Sequence, residues 1–283
     1  MVEKEDKTSF TALDVAVLND NLDIARELCI KMNVDVSDLD DVDQSLHWAA
    51  YLGRVNIVRE LINRGGNIAV KDKHGCTPLH WASFNDQLDV VKFLIDNEAN
   101  IEAKDMDDMT PLHVASWKGH LDVVKFLVEN KADIEAKTEQ GWTPLHIASQ
   151  NGHHKVVKFL VKSKVDIGAM DQQGATPLHF ASLNGHLDVV KFLVEGKADI
   201  NATEQQGFTP LHYACMVGYF NVVKFLVEKE AHVEARTHRQ WTPLQIAQGL
   251  GSQQIVRLLQ SRQRTHRRSS SFGRESKRRR KHG

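Results

Sequence analysis

The tetrapeptide Thr-Pro-Leu-His recurs along this chain at a constant spacing of 33 residues. Its five copies begin at Thr77, Thr110, Thr143, Thr176 and Thr209. Related tetrapeptides continue the same frame, with Thr242-Pro243-Leu244-Gln245 after these copies and Gln44-Ser45-Leu46-His47 and Thr11-Ala12-Leu13-Asp14 before them. Eight units therefore share one register, without an insertion, along almost the whole chain of 283 residues. A fixed period of this length is typical of a stacked repeat protein and disfavours a globular domain.

Residues 104–136 show what a single unit predicts. Thr110 is a good N-cap, and Pro111 suits the first helical position, where its missing N–H costs nothing. Gly119 favours the left-handed backbone that ends a helix. Residues 121–128 then place apolar side chains at the i, i+3 and i+4 spacing of a second, amphipathic helix. The unit is therefore predicted to be a pair of helices followed by a hairpin-like loop.

This pattern resembles the ankyrin repeat, whose signature is T-P-L-H-x-A at a period of 33 residues. The resemblance implies an all-α repeat fold, an ankyrin solenoid of helix pairs with β-hairpin-like loops. Short first helices would line a concave groove, with loop tips at its edge. We expect an ankyrin repeat domain over residues 1–260, with about eight repeats and terminal repeats that act as caps. Residues 1–33 form either a full repeat or a partial cap. Asp108 and Gln240 replace the turn glycine, and a different turn is expected there.

The net charge of −1 conceals an uneven distribution of charge along the chain. Residues 261–283 carry ten Lys and Arg against one acidic residue, whereas the preceding 260 residues carry 26 against 36. This tail has almost no apolar side chains, and so we expect it to be disordered. Its run Lys277, Arg278, Arg279, Arg280, Lys281 resembles a nuclear-import signal that an import receptor would bind. Ser269, Ser270 and Ser271 follow two arginines, a context for phosphorylation, which would lower the charge of the tail.

Histidine is abundant, with fifteen residues, but its spacing argues against a metal site. Six of these are the histidines of the repeat motif: His47, His80, His113, His146, His179 and His212. Equivalent atoms of successive repeats lie about 10 Å apart, whereas zinc needs ligand nitrogens at about 2.1 Å. The resemblance implies instead that this side chain forms hydrogen bonds that tie the loop to the first helix. The sequence contains no phosphate-binding loop, dinucleotide fingerprint or nucleophile motif. We expect no catalytic residue, cofactor or metal, and no enzyme.

Cys29, Cys76 and Cys215 show neither disulfide nor metal-ligand spacing. They are typical of reduced thiols in a cytoplasmic or nuclear protein. The longest apolar runs are only a few residues, and the first residues contain no hydrophobic signal segment, so no association with a membrane is expected. We expect the protein to be a monomer.

Residues that the repeat motif does not dictate are the candidates for binding a partner. In ankyrin repeats the partner surface is built from loop-tip positions and from positions late in the first helix. At these positions the chain carries large apolar side chains, which are typical of binding hot spots. They are Tyr51, Phe84, Met109, Trp117, Trp142, Phe208, Met216 and Trp241. Trp142 and Trp241 are also candidates for a purely structural role, packed on neighbouring loops.

A basic residue recurs on each predicted second helix, as at Lys92, Lys125 and Lys158. We interpret this column as a solvated face, because an aspartate lies three residues upstream in several units and partly neutralises it. The predicted function is a non-enzymatic protein–protein interaction module or scaffold that binds a partner protein in its concave groove and at its loop tips. The alternatives are a nucleic-acid-associated protein, which would bind non-specifically through the basic tail, and a targeting subunit for a separate enzyme.

Overall fold

The computed structural model of the protein describes residues 16–18, 21, 24 and 39–264. Within these residues the backbone forms helices and turns, with no strand. The chain divides into two compact parts, which we call the first unit (Met1–Glu139) and the second unit (Gln140–Gly283), each containing several of the 33-residue repeats. In the described part, none of the helices is long and apolar enough to span a membrane.

The first unit contains three consecutive helix pairs in its described part. The pairs are α1 (Leu39–Tyr51) with α2 (Val55–Asn63), α3 (Pro78–Phe84) with α4 (Leu88–Asp96), and α5 (Pro111–Lys118) with α6 (Leu121–Glu129). First helices pack on first helices and second helices on second helices, around Leu46, Leu79 and Leu112, which are at most 1% exposed. Helix α1 starts before the motif position because no Thr-Pro is present there. In the other pairs the proline disfavours helical backbone in the residue before it and so fixes the start.

The second unit repeats this arrangement with four pairs. They are α7 (Pro144–Gln150) with α8 (His154–Lys162), α9 (Pro177–Leu183) with α10 (Leu187–Glu195), α11 (Pro210–Val217) with α12 (Phe220–Glu228), and α13 (Pro243–Gly249) with α14 (residues 253–264). Its core repeats the leucine column at Leu145, Leu178 and Leu211, each at most 1% exposed. The all-α fold of stacked helix pairs is therefore as predicted.

The predicted count of eight repeats is too high for what the structure supports. The described residues contain seven helix pairs. Most of the first predicted repeat, residues 1–33, lies outside the described residues, which include only 16–18, 21 and 24 of that segment. The tail from residue 265 onward also lies outside them.

Most loops between helix pairs are closed by a backbone hydrogen bond in the manner of a hairpin. In the first unit the backbone N–H of Asp105 donates to the carbonyl of Met109 at 3.0 Å, and that of Met106 donates to the carbonyl of His74 in the previous loop at 3.0 Å. The side chain of Asp105 also accepts bonds from two N–H groups of its own loop. Adjacent loops are therefore joined edge to edge.

The turn without glycine is the same turn as elsewhere, and the expectation of a different one was wrong. Asp108 has φ 59° and Gln240 has φ 63°, close to Gly75 at 79° and Gly141 at 83°. The hydrogen bonds that close the loop impose the left-handed backbone on any residue at this position. A residue with a Cβ adopts that conformation at a cost of about 1 kcal/mol.

Candidate functional site

The histidine of the repeat motif completes a capping box at the start of the first helix. His113 Nδ1 accepts a hydrogen bond from the backbone N–H of Thr110 at 3.1 Å, so the ring proton is on Nε2. Nε2 donates to the carbonyl of Ala136 at 2.9 Å, in the loop that follows. The five other motif histidines also donate from Nε2 to a carbonyl of the following loop, those of Cys76, Met109, Ala175, Phe208 and Trp241. The predicted structural role of these histidines is confirmed.

Burial keeps several of these rings neutral. It lowers the pKa of His80, His179 and His212, because charging a buried imidazole costs solvation free energy. The neutral ring is also the form that the capping box requires, since Nδ1 must accept. Within the described residues, no group of three or more His, Cys, Asp or Glu side chains is arranged to hold a metal ion.

The two described cysteines are poor nucleophiles. Burial raises the pKa of the Cys215 thiol to about 12. Burial also raises the pKa of Cys76 to about 12, with the carboxylates of Asp72 and Asp105 adding to the effect. Both thiols are therefore protonated at neutral pH, and a protonated thiol is unreactive.

The first unit carries a continuous set of five rings on its first helices, which we call the aromatic face: Trp48, Tyr51, Trp81, Phe84 and Trp117. Neighbouring ring centroids lie 5.7–6.3 Å apart. Most pairs are edge-on or tilted, the arrangements that aromatic quadrupoles favour. At one end of this face, Trp117 is 43% exposed. Lys118 places Nζ 4.3 Å from the centroid of Phe84. The structure thus brings Tyr51, Phe84 and Trp117, all predicted from the sequence, onto one surface.

Hydrogen bonds from outside the rings hold this face in place. Trp81 Nε1 donates to Asp72 Oδ2 at 3.0 Å. Asn85 Nδ2 donates to the carbonyl of Tyr51 at 2.8 Å, which links α3 to α1. His120 Nε2 donates to the carbonyl of Phe84 at 2.9 Å. The Trp81 ring is therefore anchored directly, and the other two bonds anchor the backbone that carries Tyr51 and Phe84.

Met109 lies in the loop of the first unit and is half-buried. Its N–H donates to Asp105 Oδ1 at 2.8 Å, and its carbonyl accepts from His80 at 3.0 Å. The neighbouring Met106 is far more accessible, at 71% exposed. The loop tip thus presents Met106 rather than the predicted Met109 as its exposed apolar side chain.

Trp142 and Phe208, in the second unit, are half-buried and packed. Trp142 Nε1 donates to Asp171 Oδ2 at 3.1 Å, and its ring centroid lies 5.0 Å from that of Phe180. The Phe208 ring lies 5.7 Å from that of Tyr213. The Trp142 side chain joins consecutive repeats, which is the structural role that the sequence analysis allowed for it, whereas the Phe208 ring packs within its own repeat.

Met216 and Trp241 are the accessible members of the predicted set in the second unit, at 37% and 46% exposed. The Arg239 guanidinium lies 5.8 Å from the centroid of Trp241. Tyr219 and Leu250 are also exposed, at 38% and 55%. In the described part of this unit, the ring contacts do not connect Trp241 with Trp142 or Phe208.

Four aromatic residues at these surfaces were missed by the sequence analysis: Trp48, Trp81, Phe180 and Tyr213. Each occupies the variable x of the T-P-L-H-x-A pattern. Large aromatic residues at a variable motif position were the available signal. The predicted import run Lys277–Lys281 and the serines at 269–271 lie outside the described residues.

A family model described as ankyrin repeats (3 copies) matches residues 46–138, 131–204 and 196–268. No curated protein matches the chain. Because the matches extend over well more than half of its length, the chain belongs to the ankyrin-repeat family. The matched residues start at 46 and leave out the first predicted repeat, residues 1–33. Ankyrin repeats are in general protein–protein interaction modules and are typically not enzymes.

Proposed function

We propose that this protein is a non-enzymatic binding module that holds a segment of a partner protein against its aromatic face. The observation that carries the proposal is the chain of five rings across three successive first helices, ending in the exposed Trp117. Tryptophan and tyrosine are the side chains most often found at binding hot spots. The loop tip with exposed Met106 would form the edge of the same site.

Comparison within the chain supports a binding role over a folding role. The position late in the first helix is Tyr51, Phe84 and Trp117 in the first unit, but Gln150 and Leu183 in the second. Helices form and pack in both units. The repeat therefore folds without an aromatic ring at this position, and folding alone does not account for three in succession.

The hydrogen bonds behind the rings favour affinity. Ordering a flexible side chain on binding costs about 0.5–1.5 kcal/mol. The Trp81 side chain is already held by the bond that its Nε1 donates to Asp72, and the bond from Asn85 holds the backbone carbonyl of Tyr51. Little of that cost remains for the partner to offset.

The test compares the full-length protein with Trp117→Ala and with the control Leu250→Ala, which removes an exposed apolar side chain from the second unit. A partner captured by the wild type should bind Trp117→Ala more weakly by about 2 kcal/mol, or about thirty-fold in Kd. It should bind Leu250→Ala normally, and both variants should melt like the wild type. If every captured protein binds Trp117→Ala and a Phe84→Ala, Trp117→Ala double variant as tightly as the wild type, the aromatic face is not the site.

We also propose that the basic run 277–281 directs the protein to the nucleus through an import receptor. The support is the sequence alone, since five consecutive basic residues follow a segment with almost no apolar side chains. Non-specific contact with nucleic acid through the same tail is the alternative, and a role as targeting subunit for a separate enzyme would use the tail as an address.

A further inference from the structure

The exposed side of α8 carries a charge pattern that the other second helices do not share. At positions i, i+3 and i+7, helices α4, α6 and α10 read Asp89, Lys92, Asp96; Asp122, Lys125, Glu129; and Asp188, Lys191, Glu195. Helix α8 reads Lys155, Lys158, Lys162, and Lys164 follows in the loop. All four lysines are exposed. We call them the lysine face.

The buried side of α8 is the same as in the other repeats. Val156, Val157 and Leu160 are fully buried, as are Val123, Val124 and Leu127 at the equivalent positions of α6. The charge reversal is thus confined to the solvent side. Packing of the repeat does not require it.

Elementary electrostatics opposes this arrangement. Lys92 pairs with Asp89 at 3.5 Å and Lys125 with Asp122 at 3.0 Å, whereas Lys158 has a lysine at both equivalent distances along its helix. Among the described residues, no ion pair involves a member of the lysine face. Like charges three or four residues apart destabilise a helix by about 0.2–0.5 kcal/mol per pair. Lys155, in the first turn, also opposes the helix dipole, at a position where α4, α6 and α10 have aspartate.

We propose that the lysine face is a second binding site, for an acidic segment of a partner protein. Its ligand would supply carboxylates in place of the missing Asp and Glu, so that the repulsion within α8 becomes attraction in the complex. From Lys155 to Lys162 the face is about 10 Å long, at about 1.5 Å per residue. The next helix, α10, returns to the Asp-Lys-Glu pattern, so the patch is one helix wide on that side.

These dimensions select a short acidic peptide over nucleic acid. Double-stranded DNA carries one negative charge per about 1.7 Å, and proteins that bind it neutralise about 6–10 phosphates along an extended track. The lysine face offers four charges and no arginine. Arginine, with its planar fork, is the residue that favours bidentate phosphate contacts.

The test measures binding of a fluorescent Glu-rich peptide at an ionic strength of about 0.15 M. All variants are made in the full-length protein with alanine at Lys277–Lys281, so that the basic run of the tail does not bind the peptide. The decisive variant is Lys155→Asp, Lys162→Glu, which restores the charge pattern of the chain's own α6 and α10 and so should fold. We expect it to bind the peptide at least about ten-fold more weakly. The control Lys224→Gln, which removes a lysine paired with Glu228 at 4.0 Å on α12, should change Kd less than two-fold. Equal binding by the wild type and the decisive variant would overturn the proposal.

Two further arms separate the ligand classes. A short DNA duplex and vesicles of phosphatidylserine should bind the lysine face more weakly than the peptide does. If either binds more tightly and loses that binding in the decisive variant, the face recognises phosphate groups and the acidic-protein proposal is wrong. The neutral variant Lys155→Gln, Lys162→Gln repeats the comparison without charge reversal, with weaker peptide binding again expected. Trp117→Ala should leave peptide binding unchanged. The proposals for the lysine face and for the aromatic face are therefore tested independently.

Discussion

Replacing a buried serine of the first helices by alanine should stabilise the protein. Ser83, Ser116, Ser149 and Ser182 recur at 33-residue spacing, each 0% exposed, and their Oγ atoms have no hydrogen-bond partner. The same position is occupied by Ala50 in α1 and Cys215 in α11, both fully buried. The repeat therefore accommodates a side chain without a hydroxyl here.

The magnitude follows from what the hydroxyl loses on folding. A buried polar group without a partner costs about 1–3 kcal/mol relative to its hydration in the unfolded chain. Alanine also has the higher helix propensity, by roughly 0.5 kcal/mol. The loss of one atom's packing contacts offsets part of this gain. We expect Ser116→Ala to raise the free energy of unfolding by about 1 kcal/mol.

Urea unfolding followed by circular dichroism measures the change, with Ser163→Ala as the matched control. The Ser163 hydroxyl donates to the carbonyl of Phe159 at 3.1 Å, so its removal should be neutral or destabilising. Repeat proteins unfold through nearest-neighbour interactions, so the midpoint and the slope are compared together. If Ser116→Ala destabilises the protein as much as Ser163→Ala does, the buried hydroxyl has a partner and the reasoning fails.

Gln240→Gly should stabilise the protein by about 0.5–1 kcal/mol, because it relieves a left-handed backbone; an unchanged urea midpoint would mean that the loop bears no strain. Because burial lowers the pKa of His80 below 6.5, its contribution to stability should be complete above about pH 6.5 and lost as the pH falls below that value. In His80→Gln the fall in the free energy of unfolding between pH 7 and pH 5, measured by urea unfolding, should be smaller, by at most about 1.4 kcal/mol per pH unit; an identical fall would assign the pH dependence to other groups. Residues 261–283 fused to a cytosolic reporter should carry it to the nucleus, and alanine at Lys277–Lys281 should return it; a reporter that stays cytosolic with the intact tail would remove the import proposal.

The helix pairs could be predicted from the sequence because local signals and the repeat agree. Thr-Pro begins six of the seven described first helices, from Thr77 to Thr242. Gly119 ends α5 in the left-handed conformation, with φ 79°. The turn at Asp108 was not predictable in this way, because hydrogen bonds to Asp105 and between loops override the preference of the single residue. Tertiary closure decides that conformation.

Three of the five residues of the aromatic face, Tyr51, Phe84 and Trp117, were predicted from the sequence. Tyr51 and Phe84 follow from the position late in the first helix, but their contacts with Trp48 and Trp81 were missed. Trp48 and Tyr51 are three residues apart on one helix, a spacing that places side chains side by side. The contact between Phe84 and Trp117, at 5.7 Å, joins successive repeats and depends on how closely α3 and α5 pack. The residue pattern within one 33-residue repeat does not determine a distance between two repeats.

Because the repeats share one frame, each 33-residue repeat serves as a control for the others. Comparison of equivalent positions therefore separates residues that folding requires from residues that are available for binding. A departure that alters the core, such as Cys215 for serine, adjusts packing and implies nothing about a ligand. A departure on the solvent side that works against helix stability has no such explanation. Lys155, in place of the aspartate of α6, meets this criterion, although the sequence analysis interpreted the whole basic column as a solvated face. That interpretation agrees with the ion pairs of Lys92 and Lys125 and with the exposure of Lys158. The partial neutralisation does not extend to Lys158, because the residue three positions upstream is a lysine. The Glu-rich peptide therefore tests the lysine face on α8, the helix whose exposed charges differ from those of α4, α6 and α10.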